Sequence, residues 1–124
     1  MKANELRIGN LLSAHWKNEP FKVTGEIIYE VENYEHEYNP IPLTEEWLEK
    51  FGLEVYDVMG GNIFLAFRQI EPYDFNFMLC DGALKVSFYR LNWDRSFEIK
   101  HVHQFQNLYF ALTGEELELK SDKL

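Results

Sequence analysis

Cysteine is nearly missing from this chain: Cys80 is the single copy in 124 residues, so no intrachain disulfide can form. That excludes a small secreted scaffold held by bridges and fits a reducing compartment. No stretch approaches the roughly 20 apolar residues that a membrane-spanning helix needs. The N-terminal MKANELRIGNLLSAHWKNE mixes charge throughout and builds no signal-peptide core, so a cytoplasmic protein is expected. Internal repeats, low-complexity tracts and Gly/Ser linkers are also lacking, and the expectation is a single domain over residues 1–124. Basic residues are scarce. Lys and Arg number 12 against 21 Asp and Glu, a formal charge of −9. An acidic surface repels nucleic acid and anionic membranes, which argues against generic affinity for either. The scarcity shows best in EIIYEVENYEHEY, where Glu26, Glu30, Glu32, Glu35 and Glu37 stand with no Lys or Arg among them.

Aromatics, by contrast, are plentiful: ten Phe, seven Tyr and three Trp. They fit pleated, half-buried surfaces and favour strands over a helix bundle. Leu6 to Leu12 reads as a first strand bent at Gly9-Asn10, and Phe21 to Val23 as a second. Ile27 to Tyr34 reads as a third, because Ile27, Tyr29 and Val31 alternate with Ile28, Glu30 and Glu32. Asn39-Pro40-Ile41-Pro42 stops it. A short helix is predicted next, with Thr44 as N-cap, Glu45 and Glu46 in the first turn, Trp47, Leu48 and Phe51 on one side, and Gly52 as the stop.

From Leu53 to Ile99 the period is two. Gly60-Gly61-Asn62 and Asp81-Gly82 read as hairpin turns, and Asn92-Trp93-Asp94-Arg95 turns the chain again. Phe77 and Leu79 alternate with Met78 and Cys80. Val102, Phe105, Tyr109 and Leu112 then recur at helical spacing up to Thr113-Gly114, and Leu117 and Leu119 suggest a final edge strand. The predicted class is α+β: an antiparallel meander packed by a C-terminal helix and a short middle helix. The pattern leaves open whether the first strands form a small barrel-like lobe of their own.

Chemical motifs are few. His101-Val102-His103 would share a metal on a strand, but on a helix residues two apart diverge by about 200°. No further ligand stands at metal spacing, so polar residues at a helix start account for the pair better. Cys80 has no activating signature. Glu45-Glu46 diverge on a helix and are explained by its dipole. The Glu26–Glu37 run lacks the Asp/Asn-Gly grammar of a calcium loop, and GGN at 60–62 has no following helix to cradle phosphate. One stretch opposes the charge trend: Lys85, Arg90, Arg95 and Lys100 stand with Tyr89 and Trp93, a pattern able to stack single-stranded bases. A charge-balanced outer sheet face explains the same residues.

Three blocks carry a resemblance: N-E-L-R-I-G-N-L at 4–11, P-I-P-L-T-E-E-W-L-E-K-F-G at 40–52, and V-H-Q-F-Q-N-L-Y-F-A-L-T-G-E-E-L at 102–117. Together they resemble a family of small uncharacterised proteins encoded by gut bacteria and by their phages and prophages. The resemblance implies a bacterial or phage cytosolic protein with a variable middle, here Leu53 to Ser96, and it carries over no activity, catalytic residue or cofactor. Within the last block Gln104, Gln106 and Asn107 are amides beside an apolar helix face, suited to capping backbone or meeting a partner.

The expected function is a non-enzymatic accessory or protein-interaction role of mobile-element origin, with no cofactor. Its contact region would be the acidic Ile27–Tyr38 segment, with Tyr29, Tyr34, Tyr38 and Trp16 as contact residues. Pairing of open sheet edges would permit a homo-oligomer. A nucleic-acid-associated protein using Lys85, Tyr89, Arg90, Trp93 and Arg95 is the alternative, and a small metal-dependent hydrolase using His101 and His103 a further one.

Overall fold

The computed structural model describes residues 1–34, 37–57, 60, 63–70, 73–80, 83–88 and 99–120. They form a mixed α+β structure in two compact units: Met1–Pro42 with His101–Glu116, and Leu43–Lys100 with the residues from Leu117.

In the first unit β1 (Leu11–Ala14) is the central strand, flanked by β2 (Lys17–Lys22) and β3 (Tyr38–Asn39), all antiparallel. Leu12 and Ala14 share one face of β1 and enter a core with Leu6, Val23, Val31 and Tyr38. Met1 and Ala3, from the segment holding a 3-10 helix at Ala3–Glu5, pack around that core with Phe21, Ile27 and Ile28. Leu11 points to the opposite face and is equally buried.

The segment expected as a strand from Ile27 to Tyr34 is a helix, α1 (Gly25–Tyr34). Ile27, Ile28 and Val31 satisfy helical spacing as well as alternation, and the local signals decide. Thr24 Oγ1 accepts the Ile27 N–H at 3.3 Å, and Glu26 stands in the first turn. Alternation would have buried Tyr29, which is 67% exposed. The first strand also begins later than expected, at Leu11. Ahead of it Asn10 Oδ1 accepts the Arg7 N–H at 2.6 Å, a local bond that closes a turn in place of a ladder.

The third helix, α3 (Val102–Thr113), follows His101 and ends where Gly114 adopts φ +75°. It buries Val102, His103, Phe105, Gln106 and Tyr109; Leu112, expected in the core, is 36% exposed. The two segments of this unit meet where Pro42 pairs with His101, and the Val102 N–H donates to Ile41 O at 2.8 Å.

In the second unit α2 (Glu45–Lys50) runs as predicted, from Thr44 to the stop at Gly52 with φ +88°. Trp47, Leu48 and Phe51 are buried. The meander is also present: β4 (Glu54–Asp57), β5 (Ile63–Ile70), β6 (Tyr73–Cys80) and β7 (Ala83–Phe88) pair antiparallel in chain order. Phe77 and Leu79 are buried while Met78 and Cys80 are half-buried, as alternation requires. Leu84 pairs with Ile99 beyond β7, and the Leu43 N–H donates to Lys100 O at 2.9 Å. The expected strand at Leu117–Leu119 is absent. Leu117 is buried without a ladder, and the Lys120 N–H donates to Lys50 O at 2.6 Å. The predicted turns at 61–62, 81–82 and 92–95 lie outside the described residues.

Candidate interaction surface

His15-Trp16 form a two-residue turn, since Ala14 of β1 pairs directly with Lys17 of β2. This fixes Trp16 at a hairpin tip, where it is 56% exposed. Its ring is nevertheless held in place. It stacks on Phe21 of β2 at 6.1 Å and 20°, and meets Tyr38 of β3 edge-on at 6.1 Å and 83°. Phe21 and Tyr38 are in turn 6.1 Å apart at 67°. Each such ring pair is worth about 0.5–1.5 kcal/mol beyond area burial. The Lys17 ammonium sits 5.2 Å over the Phe21 ring.

Tyr38 is not contact area. It is 5% exposed and serves as the wall behind Trp16, its hydroxyl donating to a carboxylate oxygen of Glu30 on α1. Burial first, then that bond and the charges of Glu30 and Glu37, push the phenol up to about 12. The outer side of α1 exposes Glu26, Tyr29, Glu32, Asn33 and Tyr34, with Tyr29 at 67% and Tyr34 at 55%. Three of the four predicted contact residues, Trp16, Tyr29 and Tyr34, are thus exposed aromatics on one unit.

The amides of the last block turn inward. Gln104 Oε1 accepts the His101 N–H at 3.0 Å, closing the first turn of α3. Gln106, 3% exposed, accepts the Leu11 N–H and donates to Gly9 O. Asn107 accepts from Arg7 and Asn10 at 3.0 and 2.8 Å and donates to Glu5 O at 2.8 Å. They cap backbone within the unit, one of the two uses expected of them.

His101 and His103 do come together, with ring centroids 5.9 Å apart and planes 14° from parallel. His103 is 1% exposed, a burial that a polar helix start does not announce. Among the described residues no group of three or more His, Cys, Asp or Glu could hold a metal ion. Of the basic-aromatic candidates, Lys85 lies on β7 opposite Met78; Tyr89, Arg90, Trp93 and Arg95 lie outside the described residues. No helix among the described residues is long and apolar enough to cross a membrane. No protein-family model, curated protein or solved structure matches the chain.

Proposed function

We propose that this chain is a non-enzymatic protein-interaction module, of the mobile-element origin that its sequence resemblance implies, and that it meets its partner through Trp16, Tyr29 and Tyr34. The observation that carries this reading is Trp16, a large ring half out of the protein yet held on two sides by Phe21 and Tyr38. An exposed aromatic held in this way loses little freedom on binding, which is why aromatic anchors dominate interface energetics. The sheet edge beside it suits strand addition poorly, because β2 carries Pro20 and ends in Lys17 and Lys22. Side-chain contact is therefore the favoured mode.

The test is capture of partners from native cytosol by the tagged chain and by its Trp16→Ala variant, each with and without nuclease. One protein recovered in near-stoichiometric amount, indifferent to nuclease and lost with Trp16→Ala, is the expected result. Equal recovery by the variant overturns the assignment of Trp16. Recovery abolished by nuclease transfers the function to the Lys85, Tyr89, Arg90, Trp93 and Arg95 stretch.

A further inference from the structure

A buried imidazole ordinarily bonds through at least one ring nitrogen. His103 is 1% exposed, and neither Nδ1 nor Nε2 has a hydrogen-bond partner among the described residues. The Glu5 carboxylate stands 3.9 Å from Nε2, beyond bonding distance and within ion-pair range. Glu5 closes the 3-10 helix Ala3–Glu5, which is held by the Glu5 N–H on Lys2 O and the Leu6 N–H on Ala3 O. That same segment places Met1 and Ala3 against the core with Ile27 and Ile28 of α1.

The titratable groups that act on the ring are Glu5 from the 3-10 helix, His101 from the start of α3 and the Met1 amino group. Burial is the largest influence and holds the imidazole below its usual 6.5; Glu5 opposes this, while His101 and the Met1 ammonium add to it. The positive end of the α3 dipole also disfavours a cation there.

We propose that His103 is an acid trigger for the N-terminal segment Met1–Leu6, which lies closed while the imidazole is neutral and is released when it takes up a proton. A neutral ring asks for one donor bond and one acceptor bond; a protonated ring carries two N–H donors and a charge, both expensive to leave unmet in the interior. Water or a nearer Glu5 would meet them, and a nearer Glu5 pulls on the 3-10 helix, because its other carboxylate oxygen accepts the Lys2 N–H at 2.6 Å. The sign follows from linkage. Because the closed form binds the proton more weakly than an open form with the usual 6.5, closure is at full strength above that pH and weakens as pH falls below it. Release would uncover the α1 side that Met1 and Ala3 now cover, and so couples pH to the helix carrying Tyr29 and Tyr34.

The experiment is NMR on the full chain between about pH 8 and pH 5, following the His103 ring and the hydrogen-exchange protection of the Glu5 and Leu6 amides. The expected result is a His103 midpoint below 6.5 and a loss of N-terminal protection as the ring titrates. His103→Leu should abolish that fall and His101→Gln should keep it. A His103 midpoint at or above 6.5 overturns the proposal, as does unchanged protection once the ring is protonated. Should His103→Leu fail to fold, those two readings on the native chain decide by themselves.

Discussion

The side chain of Gln106 stands in for a strand beside Leu11. Its Oε1 accepts the Leu11 N–H at 2.8 Å and its Nε2 donates to Gly9 O at 3.3 Å, the two groups that a neighbouring peptide would engage. The substitution is needed because β3 is only two residues long and pairs with Ser13 and Ala14, leaving the start of β1 uncovered on that side. Replacing Gln106 with Leu keeps the bulk and strands both backbone groups. We expect a loss of about 1–3 kcal/mol in urea unfolding. An unchanged midpoint would mean that water already reaches Leu11.

Gly114 ends α3 at φ +75°, and a Cβ placed there would meet nothing within 4 Å. Any cost of Gly114→Ala is therefore conformational, without a packing component. A loss of about 1–2 kcal/mol is expected, with Gly114→Asn costing less because Asn tolerates the left-handed region. A larger loss for Gly114→Asn than for Gly114→Ala would point to a steric origin that the geometry does not contain.

What was legible in the sequence was local. The paired Glu and Gly52 bound α2 through effects a few residues long, although the Thr44 side chain makes no capping bond, and the alternation of Phe77 to Cys80 matches its burial for the same reason. Ile27 to Tyr34 failed because Ile27, Ile28 and Val31 serve either period, and the deciding bond from Thr24 is one weak local contact. The candidate surface was half legible. Trp16 and Tyr34 are exposed as expected, and Tyr29 is exposed on the helix that replaces the expected strand, but the burial of Tyr38 depends on pairing with Ala14, 24 positions earlier in the chain. The partners of Gln106 and Asn107 lie some hundred residues away, so sequence spacing reveals the type of group and not its partner.

Tyr38 yields a pH-dependent prediction. Its phenol is pushed up to about 12 by burial and by its bond to Glu30, so an ultraviolet absorbance titration should show a late phase well above the usual 10. Tyr38→Phe should remove that late phase alone. Because the folded value lies above the usual 10, the contribution to stability is complete below pH 10 and is lost as pH rises through 12. Wild type should therefore lose its advantage over Tyr38→Phe across that window. A Tyr38 phenol titrating at the usual 10 would show that the bond to Glu30 is not maintained.

Arg7 joins the N-terminal segment to α3 by three different contacts. Its guanidinium lies 4.0 Å over the Phe110 ring, Nη1 donates to Asn107 Oδ1 at 3.0 Å, and Nη2 pairs with Glu116. A planar fork can stack and donate in two directions together, whereas an ammonium offers a single point charge. Arg7→Ala should cost about 1 kcal/mol, most of it from the stacked ring and the amide bond. Arg7→Lys should recover less than half of that loss. The Glu116 pair is partly open to solvent and belongs with the surface ion pairs worth little. Raising the salt concentration should accordingly shrink the difference between wild type and Arg7→Ala only slightly, since contacts at van der Waals distance are poorly screened. Unfolding curves at low and high salt separate the two contributions. A difference that vanished in high salt would assign the whole effect of Arg7 to Glu116 and leave Phe110 with none.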